Sequence, residues 1–185
     1  MARAGKAKPN IWLLLEKGDH TRVSQGIDRY EDLTGKVYQY DSLVPNHTNL
    51  DVGDIAIIRK ESVILGWGMI GSIKKFTKLK KHRRCPFCHS TDIRERITKA
   101  PRWKCGKCAK EFKTAIETNA RVISYLASIA NFVPIPQPPS VRSVKMCAYG
   151  SKDGIKSQLS MLLLDPLRIR KILGGVFAPL KSPTA

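Results

Sequence analysis

Four cysteines stand in two pairs near the middle of the chain, Cys85-Pro86-Phe87-Cys88 and Cys105-Gly106-Lys107-Cys108, with sixteen residues between the pairs. Two thiolates on one tight turn can reach the same ion, and two such turns complete a tetrahedron. The spacing C-x2-C-x16-C-x2-C is that of a four-cysteine zinc ribbon, and Pro86 and Gly106 suit the turns. One zinc per chain is expected, held by Cys85, Cys88, Cys105 and Cys108. With every position filled by protein no site is left for water, so this zinc is structural and not catalytic. His82 and His89 flank a complete set and read as surface residues. Metal binding makes roughly 10–16 kcal/mol available to fold a segment that has almost no core of its own. Phe87, Trp103 and Phe112 are expected to cover the ribbon; Trp103 can stack on a base or pack on the metal site, and packing is the favoured reading. The fifth cysteine, Cys147, has no partner in sequence and reads as a small buried hydrophobe.

The charge around this finger is one-sided. The net +18 of the 185 residues is not spread evenly: residues 1–70 carry a net of zero, residues 71–113 a net of +12 and residues 114–185 a net of +6. Focused positive charge favours a polyanionic partner, nucleic acid ahead of an anionic membrane surface, against the plain alternative of a solvated face. Phosphate contacts are expected from Lys74, Lys75, Lys80, Lys81, Arg83, Arg84, Arg94, Arg96 and Arg102. The longest apolar runs, IWLLL and MLLL, are far too short to span a bilayer, and the first residues lack a signal-peptide core. The chain reads as cytoplasmic, where thiols stay reduced and paired C-x-x-C motifs mean metal before disulfide.

The elements that must position these residues are mainly strands. NIWLLLEKG reads as a buried first strand closed by Gly18, and DHTRVSQGIDRYEDLTG as a loop with one helical turn. KVYQYDSLVPN gives a strand entering a turn at Pro45-Asn46. DVGDIAIIRKESVILGWGMIGSIKKF gives two strands, the second weakened by Gly66, Gly68 and Gly71 unless a bulge or close approach needs them. ETNARVISYLASIANFVPIP fits helix or strand; as a strand it pairs with residues 63–76 and makes the finger an excursion from the tip of a long hairpin. Ser140 caps a short helix over VRSVKMC, SQLSMLLL stays ambiguous, and Asp165-Pro166 opens a helix that Gly174 ends.

A search for catalysis finds none. Asn46-His47 lacks the rest of an HNH motif, no carboxylate–carboxylate–lysine set is spaced to hold Mg²⁺, and no H-x-E precedes the cysteines as a zinc deaminase requires. The chain is expected to be a binding module and not an enzyme.

YQYDSLVPNHTNLDVGDIAIIRKESVILGWGMIGSI, followed by CPFCHSTDIRERITKAPRWKCGKCAKEF, resembles the amino-terminal region of HNH-type, modification-dependent (type IV-like) restriction endonucleases. Such regions look like members of the PUA-like group, with SRA, EVE, YTH and ASCH domains. The specific likeness spans roughly residues 36–113, a weaker one runs from Trp12 to about Leu173, and the nuclease half is missing. The resemblance implies an α+β, mainly β fold: a PUA-like twisted β-barrel over residues 10–76 and 114–175 with a few flanking helices. A zinc ribbon is inserted at 82–113, with flexible tails at 1–9 and 176–185. It also implies double-stranded DNA as partner, and a pocket that holds one flipped-out modified base, 5-methylcytosine or a relative, between aromatic rings. An HNH nuclease domain or subunit is a possible companion. Trp12, Tyr38, Tyr40, Asp41, Ser42, Asn46 and Trp67 are the pocket residues that the resemblance offers. From the residues alone, Tyr38 and Tyr40 share one strand face that is either core or pocket, and Asp41 and Asn46 fit turn chemistry as well as ligand binding. A zinc-containing PUA-like RNA-binding protein and a zinc-ribbon protein adaptor are the competing readings.

Overall fold

The computed structural model describes residues 8–17, 26–28, 30–149 and 159–174. Except for residues 8 and 9, the expected tails fall outside this set, as do Gly18 and much of the segment expected to hold a helical turn. Among the described residues, nine strands and two helices follow in order: β1 (Ile11–Glu16), β2 (Val37–Asp41), β3 (Ile55–Lys60), β4 (Val63–Arg84), β5 (Ile93–Glu95), β6 (Trp103–Cys105), β7 (Glu111–Phe112), β8 (Ile116–Pro134), α1 (Val141–Lys145), β9 (Met161–Leu164) and α2 (Pro166–Leu173). The chain is mainly β with few helices. Among the described residues, no helix is long and apolar enough to cross a membrane.

β1 reads as one unbroken apolar run because it lies inside the sheet and is covered on both faces, all six of its residues being buried. It pairs in parallel with β3 and antiparallel with β9, giving a six-stranded sheet in the order β2-β8-β4-β3-β1-β9. Period-2 alternation then divides the side chains. One face gathers Trp12, Leu14, Tyr38, Tyr40, Ala56, Ile58, Ile70, Tyr125, Ala127, Ile129 and Met161 into a single cluster drawn from all six strands. The other face sets Ile11, Leu13, Ile55, Ile57, Trp67 and Leu164 against Val144 of α1 and Ile169 and Leu173 of α2.

A sheet whose two edge strands share one cluster must be rolled. Side chains join those edges: the Tyr38 hydroxyl donates to the Ser160 carbonyl at 3.3 Å, and the Asn46 amide donates to the Met161 carbonyl at 3.2 Å. The closed barrel expected from the sequence is not formed among the described residues, because no backbone ladder joins β2 to β9. The outer edge of β9 is already in use, with Tyr149 N donating to Leu163 O and Asp165 N to Cys147 O.

The segment that fitted helix or strand is strand β8. It pairs with β4 from Gly66–Pro134 out to Arg84–Ile116, so a hairpin carries the finger at its tip. The glycines of β4 mark the two irregularities in this ladder, between Trp67 and Met69 and between Ile70 and Ser72. Gly68 is needed where it stands, since a Cβ there would run into Ile129 and the Ala130 carbonyl. β2 leaves β8 at the Asp41–Ser124 pair, and Ser124 pairs with Phe76. Beyond Phe76 the hairpin continues as an arm roughly 27 Å long, at about 3.4 Å per residue. Its far end is buttressed by an Ile27–His82 bridge and by Asp28, whose Oδ2 accepts from Lys81 N at 3.1 Å. Gly26, next to this bridge, is pressed between the carbonyls of Arg83 and Thr91.

The caps fall where the sequence puts them. The Ser140 hydroxyl accepts from Ser143 N at 3.1 Å ahead of α1, and Asp165 Oδ1 accepts from Leu167 N at 2.8 Å ahead of α2, with Pro166 in its first turn. SQLSMLLL resolves at its end into β9.

Candidate metal centre and basic arm

The two cysteine pairs fold as near copies of one knuckle. Cys85 N donates to Ser90 O and Cys105 N to Lys110 O, both at 2.9 Å. The residue after each second cysteine takes a left-handed backbone, His89 at φ 56° and Ala109 at φ 60°. These positions, and not Pro86 or Gly106, bear the turn's unusual conformation. All four sulfurs lie within 4.8 Å of one another, with Cys85 Sγ 3.7 Å from Cys108 Sγ and Cys88 Sγ 3.6 Å from Cys105 Sγ. Four sulfurs about 2.3 Å from a tetrahedral ion stand about 3.8 Å apart. The four cysteines are therefore close enough together to hold one metal ion and to supply all four of its ligands. Cys85 and Cys105 are buried against Ile93, Trp103, Phe112 and Ala115, on the three-stranded sheet β5-β6-β7. Trp103 is packed into this small core, whereas Phe87 stays half-exposed with its edge on Phe112, ring centroids 6.3 Å apart. His82, expected at the surface, is buried beneath the Ile27 bridge.

The arginines and lysines of the arm divide by partner. Arg96 binds Glu111 through both terminal nitrogens (2.7 and 2.8 Å) and also reaches the Pro101 carbonyl, bracing the loop between β5 and β6. Arg102 pairs with Glu95 at 2.6 Å, Arg83 with Glu117 at 2.9 Å, and Lys81 with the same Glu117 at 3.3 Å. Arg84 donates to the His89 carbonyl at 3.1 Å. Lys80 is buried: its ammonium lies 2.6 Å from Asp41 Oδ2 and 3.8 Å from the centre of the Tyr30 ring. Planar guanidinium groups suit two-pronged carboxylate pairing, so the few acids of this region draw in the arginines and leave lysines outward. Lys74, Lys75 and Arg94 are exposed. So are Lys78, Lys99, Lys104, Lys107, Lys110, Lys113 and Arg121, which the sequence reading did not single out. Their signal was present: each is a cation in a stretch with almost no acids left to pair.

The seven residues offered for a base pocket do not converge. Trp12, Tyr38 and Tyr40 lie together on the inner face of the rolled sheet, and all three are buried. The Trp12 indole N–H donates to Asp54 Oδ2 at 2.9 Å. Tyr40 stacks on Tyr125 with ring centroids 4.7 Å apart and planes 4° from parallel, and His47 lies against Tyr125 at 5.8 Å. Burial pushes the Tyr40 hydroxyl well above its usual range, so it is neutral there. Trp67 is buried on the opposite face, under the helices. Asp41, one residue from Tyr40, points the other way to Lys80 and accepts from Leu43 N at 2.9 Å in an Asx turn. The Ser42 hydroxyl accepts from Ile123 N at 3.2 Å, and Asn46 turns the chain at φ 69°. Tyr125, Tyr30 and Lys80 are the neighbours that spacing did not announce, because each comes from a distant strand or loop.

No protein-family model matches the chain, and no curated protein matches it either. A crystal structure of protein Atu2648 from Agrobacterium tumefaciens aligns over 95% of this chain and 99% of that one, at 13% sequence identity and a TM-score of 0.40. That likeness is too weak to carry an argument about fold or function.

Proposed function

We propose that this chain is a zinc-stapled module that binds double-stranded DNA in a reducing compartment such as the cytoplasm. The observation that carries the reading is the row of outward cations on the arm and ribbon, left over after the arginines have paired with the local acids. A stiff arm ending in a metal-held ribbon keeps these cations at fixed spacing, which suits a polyanion of regular pitch. Zinc is the ion that four thiolates at tetrahedral spacing suit best in such a ribbon. The side-chain-closed, rolled sheet is close in kind to the PUA-like barrel that the sequence resemblance implies.

Recognition of a modified base, as the specificity module of a modification-dependent nuclease, is the finer part of this proposal. Its pocket would form at the Tyr40–Tyr125–His47 end of the inner face, where rings already stack, and not between Trp12 and Trp67, which the sheet separates. The test is a titration of zinc-loaded protein against plain duplex, duplex carrying 5-methylcytosine, and double-stranded RNA, at several salt concentrations. Duplex DNA should bind with a salt slope set by the cations engaged, about 0.9 per phosphate neutralised. Lys99→Ala with Lys104→Ala should lower that slope by up to about 2 without loss of zinc. Equal binding of both DNA duplexes would remove the modified-base reading alone; tighter binding of RNA than DNA would overturn the proposal.

A further inference from the structure

Beyond the bulge near Ile70, odd-numbered residues of β4 and their odd-numbered partners on β8 share one face of the arm. This face continues outward from the inner face of the rolled sheet, past Tyr125. It carries Lys75, Thr77 and Leu79 on one strand and Arg121 and Ile123 on the other. Leu79 is 61% exposed and Ile123 46%, unusual for apolar residues on a two-stranded ribbon, which has no core to shelter them. No acid shares the face before Glu117, at the ribbon end. The opposite face is closed at its outer end, where Lys80 and Val122 lie under the segment bearing Tyr30.

We infer that this open face enters the major groove of B-form DNA, an inference that rests on the duplex-binding function proposed above. Two strands about 4.8 Å apart with their side chains fit a groove about 12 Å wide. Leu79, Thr77 and Ile123 then lie toward the base edges, where thymine offers a methyl group, and Lys75 and Arg121 reach the phosphates of the two walls. The ribbon's lysines extend the contact along the backbone. The major groove of A-form RNA is too deep and narrow for such an arm, so the face selects DNA over duplex RNA by shape.

The experiment uses the full zinc-loaded chain and fluorescence anisotropy on one duplex of about 20 base pairs. Two cationic competitors serve as probes: methyl green, which occupies the major groove, and netropsin, which occupies the minor groove. Methyl green should weaken protein binding at least about tenfold, and netropsin less than about twofold. Leu79→Thr with Ile123→Thr keeps β-branched or strand-compatible residues at exposed sites. It should lose about tenfold in affinity with an unchanged salt slope, because the lost contacts are apolar; Lys75→Ala with Arg121→Ala should lower the slope by about 2. Zinc content and a thermal melt on each variant show that it is folded. Displacement by netropsin and not methyl green, or full affinity in the threonine variant, overturns the groove assignment while duplex binding stands. Failure of the wild-type protein to bind any duplex overturns both.

Discussion

The rolled sheet and the ribbon at the end of its arm are held by different forces. In the sheet, Trp12, Leu14 and Ile58 lose nearly all contact with water, as do Tyr38 and Tyr40 beside them. Each fully buried side chain of this size contributes roughly 1.5–3 kcal/mol. In the ribbon, only Ile93, Trp103, Phe112 and Ala115 are buried beside the cysteines, and Ile97 is 96% exposed. Four cysteines placed to hold an ion stand where a larger core would otherwise be. The contrast teaches that one ladder, β4 with β8, joins a well-buried core to a region with little buried surface and four clustered cysteines that could hold an ion.

The largest break in that comparison should come from the metal. Removal of the ion by a strong chelator, or Cys105→Ser, should open residues 85–115 to amide exchange by orders of magnitude while β1 and β3 stay protected. The roughly 10–16 kcal/mol typical of a structural zinc site sets the scale. Exchange measured residue by residue, together with zinc analysis showing one ion per chain, checks this. A chelated ribbon that kept its protection would erase the distinction.

A smaller effect lies at the joint. The Asp41–Lys80 pair ties the end of β2 to the arm, with both side chains almost fully buried. Asp41→Ala removes the carboxylate that lies 2.6 Å from a buried ammonium and should cost about 3–5 kcal/mol in urea unfolding. The double change Asp41→Leu with Lys80→Met removes both charges and should recover most of that loss. Equal losses in the two proteins would mean that the cost of Asp41→Ala does not come from the buried charge left behind.

The smallest effect is in pH, and its sign should differ between the regions. Burial pushes the Asp32 carboxyl up to about 7, against the hydrogen bond it accepts from Gln39 N and with nearby Glu16 adding to the rise. A folded value above the unfolded one means that Asp32's contribution is full below about pH 4 and is lost as pH rises to about 7. Asp32→Asn should therefore flatten the fall in urea midpoint between pH 5 and 8. In the ribbon, hydrogen bonds from Arg96 hold Glu111 below the usual carboxylate range, and those from Arg83 and Lys81 do the same for Glu117. Their contribution is present at neutral pH and is lost as pH falls below about 4.5, the direction in which thiolate protonation also releases a metal. Exchange of ribbon and sheet amides at pH 4.5 and 7.5 separates the two trends.

The sequence disclosed most where chemistry is local. Cys85, Cys88, Cys105 and Cys108 announce their site because a knuckle needs only its own few residues, and β1 announces itself by the apolar run Ile11–Leu15 of a strand covered on both faces. The pocket residues were a different problem. Tyr38 and Tyr40 do share a face, as a spacing of two requires, but whether Trp67 joins them depends on the register of β3 against β4. The irregularities along β4 then shift that strand's parity against β8, so facing cannot be counted from one end. Asp41 was read as a possible base acceptor, yet its partner Lys80 stands 39 residues away, a distance over which spacing says nothing. A net charge does not say which cations pair, so sequence alone could not tell that Arg83, Arg96 and Arg102 face Glu117, Glu111 and Glu95. Barrel closure was illegible for a similar reason: the strip at 147–149 that takes up the β9 edge is too short to read as a strand.

Gly26 has a consequence for how the ribbon is aimed. It touches the last stretch of β4 at Arg83 and the ribbon at Thr91, one on each side of the joint where arm becomes ribbon, and a Cβ would collide with both carbonyls. An uncharged residue far from the cysteines in sequence is thus the shim that sets the ribbon's tilt. Enlarging it to valine would leave every cation and every sulfur in place but rotate the whole set about the arm's end. If the chain binds duplex DNA as proposed above, the number of base pairs covered by one molecule should then change, with each single contact as strong as before. On that proposed function, footprint length, and not affinity for a short oligonucleotide, is the property that a change at this glycine should alter.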